Sequence, residues 1–554
     1  MAKTQQLVRP ALLAVRRLCV PVLGLFLLSG CTRAEEPLTF GIPLGSAELH
    51  TIFQGLYEAM QLPPRDKTPP APVVIVPHHL TAAVAIAAGI QSLQAEKPSS
   101  VLLLSPDHFN ACPSALCTGN IRFQSTFGTT EPDASVLTVL RSSPFVSERS
   151  AMFQREHGIH AVIPFISHLS SGTQVTPLAI AIRPDWKAQR KELLELIRRV
   201  VDQDVTLVIS SDFSHYLPLT EADAADERTA KALFSRDFDG IARLENPAQS
   251  DCPPCIWLAA HIAHERNAYN PSVLLHTNSA RLLHEETVPS TTSHFAIAFY
   301  QNTPLTSQDT AFAGDVTLTR AMSGSPLSPP KGIQVFWEGA GPRIVNLEGP
   351  LQELCLPNAN AYIFCNPLSL WRKLKPLATH WGIENNHKLD QGERGYGHIR
   401  ELLEKEGEVS LSEEGAVING MRVFALTNLM NPVPADEKAD LARQYQRVIR
   451  AIHTGSSSTL PQVVYVHTGT EYRALPSETE QKYLRSFVDH GAKAVIAVHS
   501  HVPSGMEIYR GAPMFHGLGN FMFDQLEHVE TSTAKVVRLR PETTGVSFES
   551  ITAR

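Results

Sequence analysis

Two histidines one residue apart, His499 and His501, close the apolar run Ala494-Val-Ile-Ala-Val498. A β-branched run of this kind reads as a buried strand, and on an extended backbone residues i and i+2 project to one side. Both imidazoles are therefore expected to converge, as nitrogen ligands to a metal ion do. The order of apolar strand then polar tip recurs at Phe312-Ala-Gly-Asp315, Ile344-Val-Asn-Leu-Glu348, Val463-Val-Tyr-Val-His467 and Met514-Phe-His-Gly-Leu-Gly-Asn520, and Asn386-His387 also follows an apolar approach. A lone strand-tip histidine is ordinarily a hydrogen-bonded cap, because strand ends must be polar. It is the recurrence that points to a site.

Carboxylates from Asp315 and Glu348, the Asn386 amide oxygen and imidazoles from His387, His467, His499 and His501 make a donor set for two divalent ions of the Mn, Zn, Fe or Mg type. Asp390 and Asn520 are expected to orient ligands from behind. Paired ions activate a water and clamp a transferring oxyanion. In such a site Glu348 bridges the ions and a histidine such as His467 protonates the leaving group.

The front half repeats the pattern. His78 follows Val73-Val-Ile-Val76, His108 follows Val101-Leu-Leu-Leu104, and Asp212 and His215 follow Val205-Thr-Leu-Val-Ile209. Glu156 and His157 lie in a turn, and Cys252 opens Cys252-Pro-Pro-Cys255. Imidazole, carboxylate and thiolate together suit iron, copper or zinc. Asp212 and His215 also suit acid–base work near neutral pH.

These tips need a scaffold. Strands at 73–76, 101–104, 175–182, 205–209 and 295–300 alternate with helical patterns at 46–60, 187–201, 221–234 and 256–263, which predicts an α/β layer architecture. Open sheets of this class hold ligands beyond the carboxyl ends of their strands. A second α/β unit follows. One of its helices carries a capping box, Ser477 and Glu480, and stops at Gly491. The expected division is a targeting segment at 1–31, one domain at 38–302, a polar linker at 303–309 and a second domain at 310–554.

The chain has 554 residues, enough for several cores, and a net charge of -7. Residues 1–30 carry Lys3, Arg9, Arg16 and Arg17 and no acid, so the remainder is more acidic still. An acidic body argues against a nucleic-acid partner. The basic start, the short apolar stretch Leu18–Leu28 and Leu28-Ser-Gly-Cys31 resemble a bacterial lipoprotein signal peptide, with Cys31 as the lipidated residue. The implied partner is a membrane, reached through that anchor, and the implied location is the periplasmic face of the envelope. Thr32 after the cysteine favours the outer membrane. Beyond Cys19 and Cys31, six cysteines fall into three local pairs, which suits an oxidising compartment. Cys112/Cys117 and Cys355/Cys365 read as loop staples, and Cys252/Cys255 as either disulfide or ligand.

Two resemblances sharpen this. Val76-Pro-His78, Ser105-Pro-Asp-His108, Phe127-Gly128, Glu156-His157, Ser210-Ser-Asp-Phe-Ser-His-Tyr216 and Cys252 resemble the Memo-like family, also called AmmeMemoRadiSam system protein B. That resemblance implies an extradiol-dioxygenase-like fold with His78, His108 and Cys252 on a metal, and Asp212 and His215 beside it. The sequence departs from the family at His79 and at Cys252-Pro-Pro-Cys255. Gly314-Asp-Val-Thr-Leu-Thr-Arg320, Val345-Asn-Leu-Glu-Gly-Pro-Leu351, Asn385-Asn-His387, His467-Thr-Gly469, His499-Ser-His501 and Leu518-Gly-Asn520 resemble the CapA family of capsule and poly-γ-glutamate synthesis. Its implied fold is a calcineurin-like metallophosphatase α/β/β/α sandwich, with the seven donors above as ligands. The expected function is metal-dependent hydrolysis or transfer on a phosphorylated substrate or an anionic envelope polymer. The alternatives are a non-catalytic polymer-binding scaffold, and an iron or copper redox protein acting through the front half.

Overall fold

The computed structural model describes residues 36–62, 69–93, 97–201, 204–306, 309–318, 328–355, 362–429, 435–455, 460–543 and 545–554. Cys31 and the segment expected to serve as a targeting signal, the linker positions 307 and 308, and residues 319–327 lie outside these residues. From Pro37 to Arg554 the chain forms one compact unit.

In the front half the strands Val73–Val76, Val205–Ser210, Ser100–Pro106 and Gln174–Ile180 run parallel, side by side in that order. Their unbroken apolar runs follow from burial on both faces. Val74 and Val76 pack among Ile52, Leu56, Ile86 and Phe165, while Val73 and Ile75 pack among Ile197, Ile256 and Phe299. The twofold alternation thus sends successive side chains into two helical layers, each fully buried branched residue contributing about 1.5–3 kcal/mol. Val76, Ser210 and Pro106 end on one rim, and His78, Asp212 and His108 stand just beyond them. Beside Val73–Val76 lies the antiparallel strand Thr291–Phe299, which brings its amino-terminal end, including His294, to that same rim.

The back half is a sandwich. One sheet contains Thr310–Val316, Arg343–Leu347 and His380–Gly382 in parallel, flanked by Ala534–Pro541 and Val546–Ala553. The other contains Met421–Thr427, Gln462–His467, Ala494–Val498 and Ala512–Phe515. Phe312, Ile344, Tyr465, Ile496 and Val537 fill the space between sheets. Ala311, Ala313 and Val345 face outward onto Trp371, Ile399 and Leu403, and Val464, Val466 and Val495 face outward onto Ile452, Leu484 and Phe487. Helix, sheet, sheet and helix layers result. The Glu478–Asp489 helix has the expected capping box between Ser477 and Glu480.

The two halves are not beads on a string. Ser272 in Pro271–Asn278 pairs with Met506 in Met506–Tyr509, so the front sheet and one back sheet form a continuous 15-stranded sheet. The Asn302 side chain is buried and bonds to the Ser550 backbone, donating to its carbonyl at 3.2 Å and accepting from its N–H at 3.0 Å. Glu227, on the Leu219–Phe234 helix, accepts from the backbone N–H groups of Ala474 at 2.5 Å and Leu475 at 3.4 Å. No helix among the described residues is long and apolar enough to cross a membrane.

Candidate metal centres

At the back, Glu348, His499 and His501 place donor atoms within 4.8 Å of one another, all buried. The extended-strand argument for the two histidines does not hold. The strand stops at Val498, and His499 and His501 take φ of 109° and 57°. Such values are uncommon for residues with a Cβ, and they turn the chain inward so that the rings converge, with centroids 5.7 Å apart. The His499 N–H donates to Asp315 at 3.0 Å, which fixes the bend.

Glu348 lies between two groups of donors. Its Oε1 is 3.8 Å from His387 Nε2 and 4.0 Å from His467 Nε2. Asp315 Oδ2 is 3.6 Å from His501 Nδ1, and Asp315 Oδ1 is 3.9 Å from His467 Nδ1. Asp390 accepts from His387 Nδ1 at 2.8 Å, and Asn520 from His501 Nδ1 at 2.8 Å, which turns each Nε2 outward from its support. His467 and Asn386 are bonded to each other at 2.8 Å, a bond both must release to take an ion. The Asn346 amide donates to Asp315 at 2.7 Å and to His467 Nδ1 at 3.1 Å, a support that its place before Leu347-Glu348 does not announce. Phe364 stacks flat on His387 at 3.9 Å, a cover no local pattern announces.

Burial dominates the electrostatics here. It pushes the Asp315 carboxyl up to about 7, against hydrogen bonds from Asn346 and His499. It pushes His499 down to about 3 and His467 well below 6.5, with neighbouring histidines adding repulsion. Neutral imidazoles are the form that binds metal, and the buried His499 Nδ1 has no hydrogen-bond partner. The donors present therefore fit divalent ions.

At the front, His78, His108, Asp212 and Asp251 meet at the rim. His78 Nε2 is 3.2 Å from Asp212 Oδ2 and 3.2 Å from Asp251 Oδ2, and His108 Nε2 is 3.7 Å from Asp251 Oδ2. Glu156, which caps the short His157–His160 helix, accepts from His108 Nδ1 at 2.5 Å and from the His108 N–H at 3.1 Å. The His157 ring lies 3.8 Å from that of His108. Burial and the neighbouring histidines push His157 down to about 4. Burial alone would also lower His108 and His78. The Asp251 carboxylate beside Nε2 and the Glu156 hydrogen bond at Nδ1 instead raise His108 to about 9, and Asp212 and Asp251 raise His78.

Asp212 is not an acid–base partner bonded to His215. Its carboxylate is fully buried and held by His79 and by His294, the latter at 2.7 Å. His215 donates Nδ1–H to the Phe213 carbonyl at 2.7 Å, and a ring nitrogen stays within 4.8 Å of the Asp212 and Asp251 carboxylates. Cys252 is not a ligand. It is bonded to Cys255 and buried in the apolar layer beside Ile256 and Phe213, so it offers no thiolate and the implied His/His/Cys set does not fit. Cys112–Cys117 and Cys355–Cys365 are also disulfides.

Residues 45–266 match the family described as Memo-like protein, and residues 412–525 match Bacterial capsule synthesis protein PGA_cap. The chain joins a Memo-like domain to a CapA-like one. A MEMO1 family protein of Caldivirga maquilingensis is 26% identical over 30% of this chain and 61% of its own length. One from Metallosphaera sedula is 23% identical over 38% of this chain and 76% of its own length. The PGA biosynthesis protein CapA of Bacillus subtilis is 40% identical over 11% of this chain and 17% of its own length. The chain thus spans less than two thirds of the first Memo-like relative and a small part of the CapA relative. His467, His499 and His501 fall inside the CapA-like match, whereas Asp315, Glu348 and His387 precede it.

Proposed function

We propose that the CapA-like half is a metal-dependent hydrolase or transferase of the bacterial envelope, acting on a phosphoester or an amide-linked anionic polymer. The observation that carries this reading is the convergence of Glu348, His499 and His501 in a buried cluster bordered by Asp315, His387 and His467. Divalent ions held there supply a Lewis acid and lower the pKa of a water nucleophile. Glu348 would hold such an ion together with His499 and His501. Asp390, Asn520 and Asn346 hold the imidazoles and Asp315 in position before substrate arrives. His467, neutral by burial with its Nε2 bonded to Asn386, would free that nitrogen to hold an ion when the bond opens, and water would supply the proton the leaving group needs.

The envelope setting rests on the capsule-synthesis names of the CapA relatives and on the lipoprotein-like start ending at Cys31. Lipid attachment through Cys31 would hold the body at the membrane surface.

The test is turnover of p-nitrophenyl phosphate, bis-p-nitrophenyl phosphate and poly-γ-glutamate by metal-loaded protein. His499→Ala is expected to lower kcat at least about 100-fold, with circular dichroism unchanged. Undiminished hydrolysis in both His499→Ala and His467→Ala would overturn the assignment. Stoichiometric metal without hydrolysis of any of the three substrates would favour a polymer-binding scaffold instead.

A further inference from the structure

The Memo-like centre keeps two imidazoles of the implied ligand set and has lost the thiolate, yet its pocket is not short of a third donor. Asp251, the residue before Cys252, brings its Oδ2 3.2 Å from His78 Nε2 and 3.7 Å from His108 Nε2. Its other oxygen is held by the Ser211 hydroxyl at 2.7 Å, so the carboxylate is aimed and not swinging. The His78 and His108 rings meet edge to face, with centroids 4.7 Å apart.

The supports behind these donors fix which atoms face inward. The Ser210 hydroxyl donates its one proton to the Gly158 carbonyl at 2.5 Å. Its oxygen, 3.2 Å from His78 Nδ1, can therefore only accept, which puts a proton on Nδ1. Glu156, an acceptor, does the same for His108 Nδ1 at 2.5 Å. In both rings Nε2 is the atom turned to Asp251. His78 is fully buried, but neither its Nε2 nor Asp251 Oδ2 makes a hydrogen bond, although they lie within hydrogen-bond distance of each other. Buried polar atoms without partners are costly. Two nitrogens and a carboxylate oxygen that converge without bonding to one another outline the coordination sphere of a cation.

We propose that His78, His108 and Asp251 bind a divalent transition-metal ion through two nitrogens and one oxygen, and that the Cys252–Cys255 disulfide keeps sulfur out of the coordination sphere. Two histidines and a carboxylate on one side of an ion leave other positions open, the arrangement of non-haem iron sites. Without a soft thiolate the set favours Fe(II), Mn(II) or Zn(II) over Cu(I). Asp212, 3.2 Å from His78 Nε2 and clamped by His79 and His294, borders the same space as a second carboxylate.

The probe is Zn(II), loaded onto the full chain purified without reductant. Zinc-edge X-ray absorption of the unaltered protein should show only nitrogen and oxygen neighbours at about 2.0–2.1 Å, with no sulfur at about 2.3 Å. A sulfur shell in the parent that disappears in Cys252→Ser/Cys255→Ser would implicate Cys252 and overturn the proposal whether or not the back site fills. Asp251→Ala should bind one zinc fewer per chain than the parent. The double variant Cys252→Ser/Cys255→Ser should keep the full complement. Retention of all zinc by Asp251→Ala, or loss of one zinc in the double serine variant with its fold intact by circular dichroism, would also overturn it. His499→Ala, which alters only the back pocket, should leave the Asp251-dependent zinc in place. The failure of one site is thus read apart from the failure of the other.

Discussion

In the Memo-like half the imidazoles of His78 and His108 face carboxylates, whereas in the CapA-like half His467 and His499 face mainly other imidazoles. The proton that balances charge in the ion-free protein therefore sits on different chemistry. At the front, carboxylate neighbours keep it on histidine, with His108 raised to about 9. At the back, burial strips His467 and His499 and leaves the proton on Asp315, raised to about 7. Similar strand-end grammar thus builds one centre that holds its proton through neutral pH and one that is losing it there.

The sharpest way to break the comparison is Gly314→Ala. A Cβ at Gly314 would lie 1.8 Å from the Gly519 carbonyl oxygen, a backbone atom that cannot rotate away. The strands that carry Asp315 and Asn520 would be forced apart. Denaturant unfolding should show a loss of about 4 kcal/mol or more, and the back site's metal should go first. Glu156→Gln acts on the other centre alone. By removing the carboxylate behind His108 it should weaken zinc binding at the front about 10–100-fold, with zinc at the back unchanged in a competition titration.

A pH series sharpens the contrast. A histidine raised from 6.5 to about 9 stabilises the ion-free fold fully below pH 6.5, and that stabilisation is lost as pH rises through 9. Ion binding at the front should therefore tighten by about tenfold per pH unit up to 9 for the His108 proton alone, and more steeply where His78 also gives up a proton. At the back the matching group is Asp315, raised from 3.8 to about 7. Its proton is released as pH climbs through 7, so binding should level off above that value. Calorimetric titrations in two buffers of different ionisation enthalpy would count the protons released at each pH. The smallest expected effect is a control. Ser477→Ala removes half of a capping box on a helix that carries no ligand and should cost about 1 kcal/mol without altering either zinc affinity.

Much of this architecture could be read from residue order. Val73–Val76, Val205–Ser210 and Gln462–His467 announce themselves as uninterrupted apolar runs, and a run buried on both faces has nowhere to go but a sheet interior. The polar residues just past those runs had to meet because parallel neighbours end on one rim. His294 escaped notice because it opens an antiparallel strand, whose beginning and not its end reaches that rim. Asp251 escaped because the adjacent cysteines drew the donor role to themselves, and one residue of register decides which side chain enters the pocket. His499 and His501 converge, but not through the extended backbone that their spacing predicts. An apolar run does not show where extension gives way to positive φ.

The lone pairing of Ser272 with Met506 has a consequence for solubility. Each of those strands is the last of its half along that direction. Were the chain cut between the halves, both would present unsatisfied amide and carbonyl groups to the solvent, ready-made templates for adding a foreign strand. By joining flank to flank, the two lobes each hide the other's sticky border, and a fragment of either would be prone to self-association.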